Sequence, residues 1–459
     1  MFSLHNHTGV SSASRGFADS SIKLEDLINK SKELGLNGVA VTDHESIGAF
    51  VKCKQLEDKN DYSIICGNEI YLVSDNQYET LKNDYQSGMY FPHFLLLAKD
   101  IEGNKQLREL SSIAWENNAF MQSGLFRTPT KMSDIQTVIG NNKGHIIAST
   151  ACLGGQVSRW ILDILSDDID EDTKKTRKVW LDFFINWCQD IFGKDNFYLE
   201  CQPASDTQEE QIKVNDYILQ LSKETNVPYI ITTDSHYLSK DLFSLHNSFL
   251  NSSEDSDREV EAFYKTAYLM GEQEVIEYFL PYWDIEDIQK GLDNTDIIGK
   301  QCERYSLAQK QKVPKIKFDE GWKVNQEFFP KTEYIQKYIN SPYEDDRYTM
   351  YKLEQQIKKI IIKDEYAMVF DRLESELEEI WEVSSIINDR LISYFITMSK
   401  LIEIIWTEGD SLVCPGRGSG VSSIINYLME ITQVNPLKMP IEMPFYRFIS
   451  RERAEMADC

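Results

Sequence analysis

Short apolar runs alternate with longer amphipathic segments over the first 240 residues. The apolar runs have the length and β-branched content of strands, and most of them end in polar residues. Six such runs predict strands: GVAVTDH, YSIICGNEIYL, HFLLLAKD, GHIIASTACLGG, NFYLECQP and VPYIITTDSHYL.

The segments between these runs have helical periodicity. In SIKLEDLINKSKELG, for example, Leu24, Leu27 and Ile28 fall near one face, and Gly35 can end the helix. Ser20 or Ser21 is predicted to cap its start. Strands that alternate with helices predict a parallel α/β sheet or barrel.

Ionisable residues collect where these strands end, as they do at the functional rim of a (β/α) barrel. The opening MFSLHNHTGV adds His5 and His7, which would point to the same side of one strand. The set comprises His5, His7, Asp19, His44, Glu69, His93, Cys152, Asp234 and His236.

A single histidine near a strand is usually an ordinary core or surface residue. Imidazole, carboxylate and thiolate groups together, however, form the ligand set of zinc, iron or manganese. Nine candidates exceed one coordination sphere and predict two or three divalent ions, a type of cluster that serves phosphoryl chemistry. Asp43 is either an outer residue that orients a ligand, which we favour, or a bridge between ions.

The chain changes character after residue 240. Residues 246–270 read as a polar connection, and the segment from 271 onward is helical and charged. Near its end, CPGRGSG precedes the apolar stretch VSSIINYLMEI, predicted to be a helix. Backbone N–H groups there, with Arg417 and Ser419, form either a phosphate cradle or an ordinary glycine-rich turn.

Composition limits the kinds of partner and cellular compartment that we expect for this protein. Lys and Arg number 48 against 74 Asp and Glu, so the net charge is −26 and any nucleic-acid contact requires local basic patches or bound cations. The eight cysteines include no CxxC pair, which favours a reducing compartment. No signal peptide or 18-residue apolar run occurs, so we expect a cytoplasmic protein without a membrane association.

Six motifs in order resemble the PHP (polymerase and histidinol phosphatase) domain of bacterial and phage DNA polymerase III alpha subunits. They are LHNHT, VAVTDHES, GNEIYL, HFLLLAKD, ACLGG and TTDSHYL. The resemblance covers residues 1–245 and implies a distorted (β/α)7 barrel whose metal ligands are the nine residues given above. One departure is the insertion SSASRGFA between His7 and Asp19.

Residues 271–459 resemble the first part of the palm of the same polymerases, mostly helical and incomplete. The resemblance implies that the turn containing Gly416, Arg417, Gly418 and Ser419 holds the incoming nucleotide triphosphate. Arg447 and Arg453 align with arginines near that pocket, or are surface or structural residues.

The family's Met-Pro-Asp-X-Asp motif holds catalytic Mg²⁺ with two aspartates. Here MADC supplies Asp458, with Ala457 in place of proline, and no second aspartate follows. We therefore expect that this polypeptide does not polymerise DNA alone. Several explanations would account for a sequence that ends at Cys459, inside the motif. They are an intein inserted after Asp458, a split gene without splicing, a truncated sequence, or a cysteine native to this lineage.

The resemblance implies a replicative DNA polymerase with a metal-dependent 3′–5′ exonuclease in its PHP domain. Implied partners are primer-template DNA, dNTPs, the remaining polymerase polypeptide and a sliding clamp. The alternatives are a stand-alone phosphatase and a scaffold in which metals only stabilise the fold. Because every expected ligand position holds a competent ligand, an active site is favoured over a scaffold.

Overall fold

The computed structural model describes residues 1–83, 89–122, 125–252, 262–308, 314–318 and 320–452. The chain divides into two compact units, Met1–Gln309 and Lys310–Cys459. Among the described residues, no helix combines the length and apolar character needed to cross a membrane.

The described residues of the first unit form nine strands, and seven of them belong to one sheet. The strands are β1 Gly38–Val41, β2 Ser63–Val73, β3 His93–Ala98, β4 Phe120–Gln122, β5 Leu125–Arg127, β6 Thr130–Lys131, β7 Ile146–Ser149, β8 Phe197–Cys201 and β9 Tyr229–Ile231. Each of the six predicted strands is present.

The described part of this unit also contains twelve α-helices. They are α1 Gly9–Arg15, α2 Leu24–Glu33, α3 Phe50–Asn60, α4 Asp75–Asn83, α5 Ile101–Glu116, α6 Met132–Ile139, α7 Gln156–Leu165, α8 Glu171–Phe192, α9 Glu209–Thr225, α10 Phe243–Leu250, α11 Glu272–Phe279 and α12 Ile285–Gln301.

The sheet runs in the order β1-β2-β3-β7-β8-β9, with β6 beside β2 and β4 paired with β5 separately. It is mixed rather than parallel, because β3 is antiparallel to both β2 and β7. The reversal brings the first residue of β3 to the edge where the other strands end. The α/β barrel fold class is confirmed, and the expectation of parallel strands throughout is wrong at β3.

The N-terminal segment closes the curled sheet. Ser3 forms a β-bridge with Val39 of β1, and Asn6 forms one with Ser235, which follows β9. The Asn6 side chain donates to the carbonyl of Ala40 at 2.8 Å and accepts from the Ser235 hydroxyl at 2.6 Å. Two sheet edges are thereby joined through one short segment, which removes the exposed edges of an open sheet.

Alternate residues of each strand supply two apolar clusters. In β1, Val39 and Val41 pack outward in the large cluster beneath the helices, and Ala40 belongs to a smaller inner cluster with Phe2 and Leu4. Phe2 packs so closely on Gly38 and Gly299 that a Cβ on either glycine would lie within 2.4 Å of its ring. The start of the chain is therefore fixed between β1 and α12.

The helix predicted from Ser20 or Ser21 begins later, at Leu24, and its N-cap is Lys23. Ser20 serves a different purpose, because its hydroxyl donates to the carbonyl oxygens of His7 at 2.8 Å and His236 at 3.0 Å. The predicted end is confirmed: Gly35 has a left-handed φ of 71° just after the helix.

The second unit is helical in its described part. Its helices are α13 Glu333–Ile339, α14 Glu344–Ile360, α15 Tyr366–Ile387, α16 Ile392–Thr407 and α17 Ile424–Leu428. Short 3₁₀ turns occur at Gly418–Ser422 and Phe445–Arg447. The unit has its own buried core, centred on Leu353, Leu377 and Ile380.

The division by packing differs from the division predicted by sequence. Helices α11 and α12, which fall in the segment 271–459 predicted as palm, belong to the first unit. The cause is tight packing of α12 on β9, where a Cβ on Gly291 would lie 2.8 Å from Ile231. The functional boundaries at 245 and 270 stay a prediction.

Candidate metal centre

The fully buried carboxylate of Glu69, midway along β2, lies at the centre of a cluster of histidines. Four ring nitrogens lie within 3.3 Å of its oxygens. They belong to His5 at 3.3 Å, His7 at 3.3 Å, His44 at 2.8 Å and His93 at 3.1 Å.

Two aspartates complete the cluster. The Asp234 carboxylate lies 3.2 Å from His5 Nε2 and 3.0 Å from His7 Nε2. Asp19 Oδ2 lies 3.7 Å from the Nε2 atoms of both His44 and His236. Three groups thus offer ligand atoms within 4.8 Å of one another: His7, Asp19, His44 and His236; His5, His7, Glu69 and Asp234; and His44, Glu69 and His93.

Cys152 lies at the edge of the cluster. Its sulfur is 3.4 Å from His93 Nδ1 and 3.9 Å from a Glu69 oxygen. All nine residues predicted as ligands are therefore neighbours in one region. This set of nitrogen, oxygen and sulfur donors fits divalent transition metals, with no departure from their ordinary ligand chemistry.

The backbone turns sharply where the strands deliver these side chains. Glu45, Ala151 and Asp234 have left-handed φ angles of 50°, 57° and 45°. Glu45 follows His44, Ala151 precedes Cys152, and Asp234 is itself a candidate ligand. For residues with a Cβ such φ angles are uncommon and concentrate at functional sites.

A second set of residues orients the histidines. His5 Nδ1 lies 2.7 Å from Glu200 of β8, whose carboxylate also accepts from the Thr232 hydroxyl at 2.6 Å and from Ser149. Bonding of Nδ1 to a carboxylate leaves Nε2 of a neutral imidazole available for a metal. We did not predict this role for Glu200, although a single carboxylate within the apolar run NFYLECQP is a signal that it has a buried partner.

Asp43 acts one step further out. It accepts from the Ser11 hydroxyl at 2.9 Å and from the Thr8 amide at 2.6 Å. Ser11 in turn lies 3.0 Å from His7 Nδ1. Asp43 thus reaches the cluster through Ser11, and this placement supports an orienting role rather than a bridge between ions.

The two remaining histidines lie outside the ligand groups. His145 pairs with Asp100 at 2.6 Å, just beyond the end of β3 that is opposite His93. His246 of α10 is buried and stacks on Tyr237, with ring centroids 4.9 Å apart.

The electrostatics of the cluster balance three carboxylates against imidazoles. Burial lowers the pKa of His7, but hydrogen bonds to Asp234 and Glu69 outweigh it and raise that pKa to about 9. For Asp234 and Glu69, burial works toward a higher pKa, but the neighbouring histidines hold the pKa of each carboxyl below its ordinary value. Buried carboxylates here require compensating positive charge, which protons or metal cations can supply.

A cavity of about 800 Å³ opens onto the cluster. Its lining includes the ligand candidates His44, His93, Cys152, Asp234 and His236. One side of the buried cluster is therefore accessible to a molecule from solvent.

The glycine-rich turn lies in the second unit. Arg417, Gly418 and Ser419 are exposed, and Gly418 needs its glycine because its φ is 69°. The 3₁₀ turn carrying exposed Arg447 packs beside this turn. The structure thus places four of the predicted nucleotide-binding residues in one turn (Gly416, Arg417, Gly418 and Ser419) and Arg447 in the adjacent one.

The predicted helix after the turn is shorter than expected, and its N-terminus is already bound. Buried Glu376 of α15 accepts from the backbone amides of Ile424 and Ile425 at 2.8 and 3.1 Å. The idea that this helix terminus offers N–H groups to a phosphate is therefore wrong, since a carboxylate satisfies them. Phosphate binding by the glycine-rich turn itself stays a prediction.

Arg372, one helical turn from Glu376, fixes both turns. It pairs with Glu376 at 2.7 Å and donates to the carbonyl oxygens of Ser422 at 2.6 Å and Met443 at 2.8 Å. The predicted residues Arg453 and Asp458 lie outside the described part of the chain.

Comparison with known proteins agrees with this arrangement. Residues 3–204 match the PHP domain, and residues 347–459 match the bacterial DNA polymerase III alpha NTPase domain. The first match contains seven of the nine candidate ligands, and the second contains the glycine-rich turn. The PHP match thus covers most of the candidate site for divalent metal ions in the first unit.

Curated relatives match along the whole chain. The probable DNA polymerase YorL of Bacillus subtilis (strain 168) and the DNA-directed DNA polymerase of Bacillus phage SPbeta are each 35% identical over 480 residues, which is 100% of this chain and 36% of theirs. The DNA polymerase III subunit alpha of Borreliella burgdorferi is 26% identical over 461 residues, 99% of this chain and 34% of that protein. The chain thus spans about a third of the length of these relatives.

Metal content gives the first test of the site. We expect the purified chain, expressed with ample metal, to hold two or three divalent ions per molecule. His44→Ala combined with His236→Ala should remove most of them, because His44 belongs to two ligand groups and His236 to one. Elemental analysis measures both proteins, with His145→Ala as the matched control. Metal-free wild-type protein would contradict the assignment.

Metal affinity should increase with pH. In the metal-free protein His7 has a pKa of about 9, so it carries a proton below that pH, and a metal must displace this proton. Apparent affinity should rise by about tenfold per pH unit for each displaced proton, and the His7 contribution should level off above pH 9. Titration calorimetry in buffers of different ionisation enthalpy counts the protons released. Constant affinity from pH 7 to 9 would refute this mechanism.

Proposed function

Because residues 3–204 match the PHP domain and residues 347–459 match the bacterial DNA polymerase III alpha NTPase domain, we propose that the chain is the N-terminal portion of a replicative DNA-directed DNA polymerase. We propose further that its PHP domain hydrolyses phosphodiesters as a 3′–5′ proofreading exonuclease. The relatives, of which the chain covers about a third, are themselves named as DNA polymerases.

One observation carries the hydrolase proposal. The ligand groups share His7, His44 and Glu69, and the cavity reaches the cluster at His44 and His236. Overlapping groups suit ions held close together, and access from solvent suits a substrate phosphate. A buried cluster that only stabilised the fold would have no need of this opening.

In this proposal the cluster binds two or three divalent ions of zinc, manganese or iron. Such ions lower the pKa of water and neutralise charge on a phosphate. The residues of the chain would hold and orient these ions. Glu69 belongs to two of the three ligand groups, Glu200 fixes the tautomer of His5, and Ser11 does so for His7. Magnesium would serve polymerisation in the complete enzyme.

Two other functions fit the cluster less well. A stand-alone small-molecule phosphatase would not need the second unit, whose residues 347–459 match a polymerase domain. A silent scaffold would not need a full ligand set on an open cavity. Primer-template DNA, dNTPs and the remaining polymerase polypeptide are the partners we propose, and a sliding clamp stays an expectation from the family resemblance.

Hydrolysis is tested with a manganese- or zinc-loaded chain on a generic phosphodiester and on DNA labelled at either end. Nucleotides should leave from the 3′ end. Asp234→Asn should lower the rate by about 100-fold or more, because it removes a ligand charge next to both His5 and His7. The exposed Asp182 gives the matched control Asp182→Asn. Equal rates for wild type and Asp234→Asn would identify a contaminant and favour the scaffold.

Polymerisation is tested separately by primer extension. The 459-residue polypeptide supplies Asp458 but no second aspartate after it, so it should incorporate no nucleotide with Mg²⁺ and dNTPs. Extension should appear when a polypeptide carrying the rest of the palm is added. Template-dependent extension by the polypeptide alone would overturn this part of the proposal.

A further inference from the structure

Two arginines, Arg127 and Arg159, line the cavity above the metal centre. Among the described residues, neither Arg127 nor Arg159 forms an ion pair, and the buried Nε of Arg127 has no hydrogen-bond partner. A buried donor without a partner costs free energy that a bound acceptor would recover. In a chain of net charge −26, two guanidinium groups that have no ion-pair partner in the described part of the chain mark a place for an anion.

Each of these arginines lies over an aromatic ring. The Arg127 guanidinium is 5.0 Å from the ring centre of Phe91, and that of Arg159 is 5.3 Å from the ring centre of Tyr90. Tyr90 and Phe91 are consecutive and both line the cavity. Positive groups thus alternate with flat apolar surfaces beside the metal ligands.

A second cavity of about 700 Å³ shares Tyr90, His93 and Arg159 with the first. Its wall contains Trp160 and Trp180, whose ring centres are 6.0 Å apart. Trp180 is 44% exposed although it is a large aromatic residue. The shared residues make the two cavities adjacent, and an extended molecule bound in both would pass Tyr90 and Arg159. We call Tyr90, Phe91, Arg127, Arg159, Trp160 and Trp180 the aromatic groove.

Aromatic rings interleaved with cations are the surface that binds single-stranded nucleic acid, where bases stack on rings and phosphates pair with cations. Duplex DNA would not use such a surface, because its bases are stacked on one another. Two exposed carboxylates, Glu209 and Glu210, also line the first cavity and would repel a phosphate. Phosphates are therefore favoured only on the side of the cavity that the two arginines line.

We propose that the aromatic groove binds the single-stranded 3′ end of DNA and leads it to the metal centre. Arg127 and Arg159 contact phosphates, and Tyr90 and Trp180 offer stacking surfaces to bases. This inference rests on the proposed exonuclease function and names how its substrate is held.

The test measures binding without hydrolysis. A fluorescent ten-nucleotide oligo(dT) with phosphorothioate linkages is titrated with the chain, and anisotropy reports binding. Arg127→Gln and Arg159→Gln should each weaken binding about five- to tenfold. Each should also make the slope of log affinity against log salt concentration shallower by about 0.7, the value for one lost phosphate contact. Trp180→Ala should weaken binding by about fivefold or more. Arg159→Lys should recover part of the affinity, since it restores the charge.

Arg108→Gln is the matched control, because Arg108 is exposed on α5 and does not line the groove. It should bind like the wild type, and thermal melts check that every variant folds. Equal losses for Arg108→Gln and Arg159→Gln, equal affinity for a duplex of the same length, or unchanged binding by the folded groove variants would each overturn the proposal.

The two proposals fail in different ways. Binding that depends on the groove, without any hydrolysis of unmodified DNA, would reject the exonuclease and retain the groove. Hydrolysis that depends on Asp234, with binding indifferent to the groove variants, would reject the groove and retain the exonuclease.

Discussion

The first unit is organised around one buried charge. The Glu69 carboxylate is inaccessible to solvent and lies within 3.3 Å of nitrogens from four histidines. Such a charge is costly to bury unless positive groups surround it, and this requirement draws together segments that are far apart in sequence. The N-terminal segment, β1, β2 and β3 each contribute to its surroundings. The site and the closure of the barrel therefore depend on the same N-terminal segment.

The N-terminal segment shows how closely these two tasks are connected. Its odd-numbered residues His5 and His7 face the cluster, and Asn6 between them hydrogen-bonds to both edges of the sheet. A single stretch of extended chain thus closes the barrel and delivers two ligands. Phe2 is inserted between Gly38 and Gly299 and keeps that stretch from sliding lengthwise along β1.

The second unit uses a similar device on a smaller scale. Buried Glu376 binds the amides that begin α17, and Arg372 joins Ser422 to Met443. The pair holds the glycine-rich turn beside the turn of Arg447 while leaving Arg417 and Ser419 exposed. Each unit therefore positions its candidate functional residues with a buried carboxylate that has paired, hydrogen-bonded surroundings.

By itself the sequence determined the strands and the alternation with helices, because these follow from local periodicity. It also supplied the nine candidate ligands, through their side-chain chemistry and, for Asp19, through the family resemblance. Tertiary structure decided the rest. It reversed β3, which brings His93 to the shared rim; it assigned Glu200 to His5; and it used Glu376 to occupy a helix terminus expected to be open. Each of these depends on residues at least 22 positions apart, and no local pattern records which distant partner a buried charge will find.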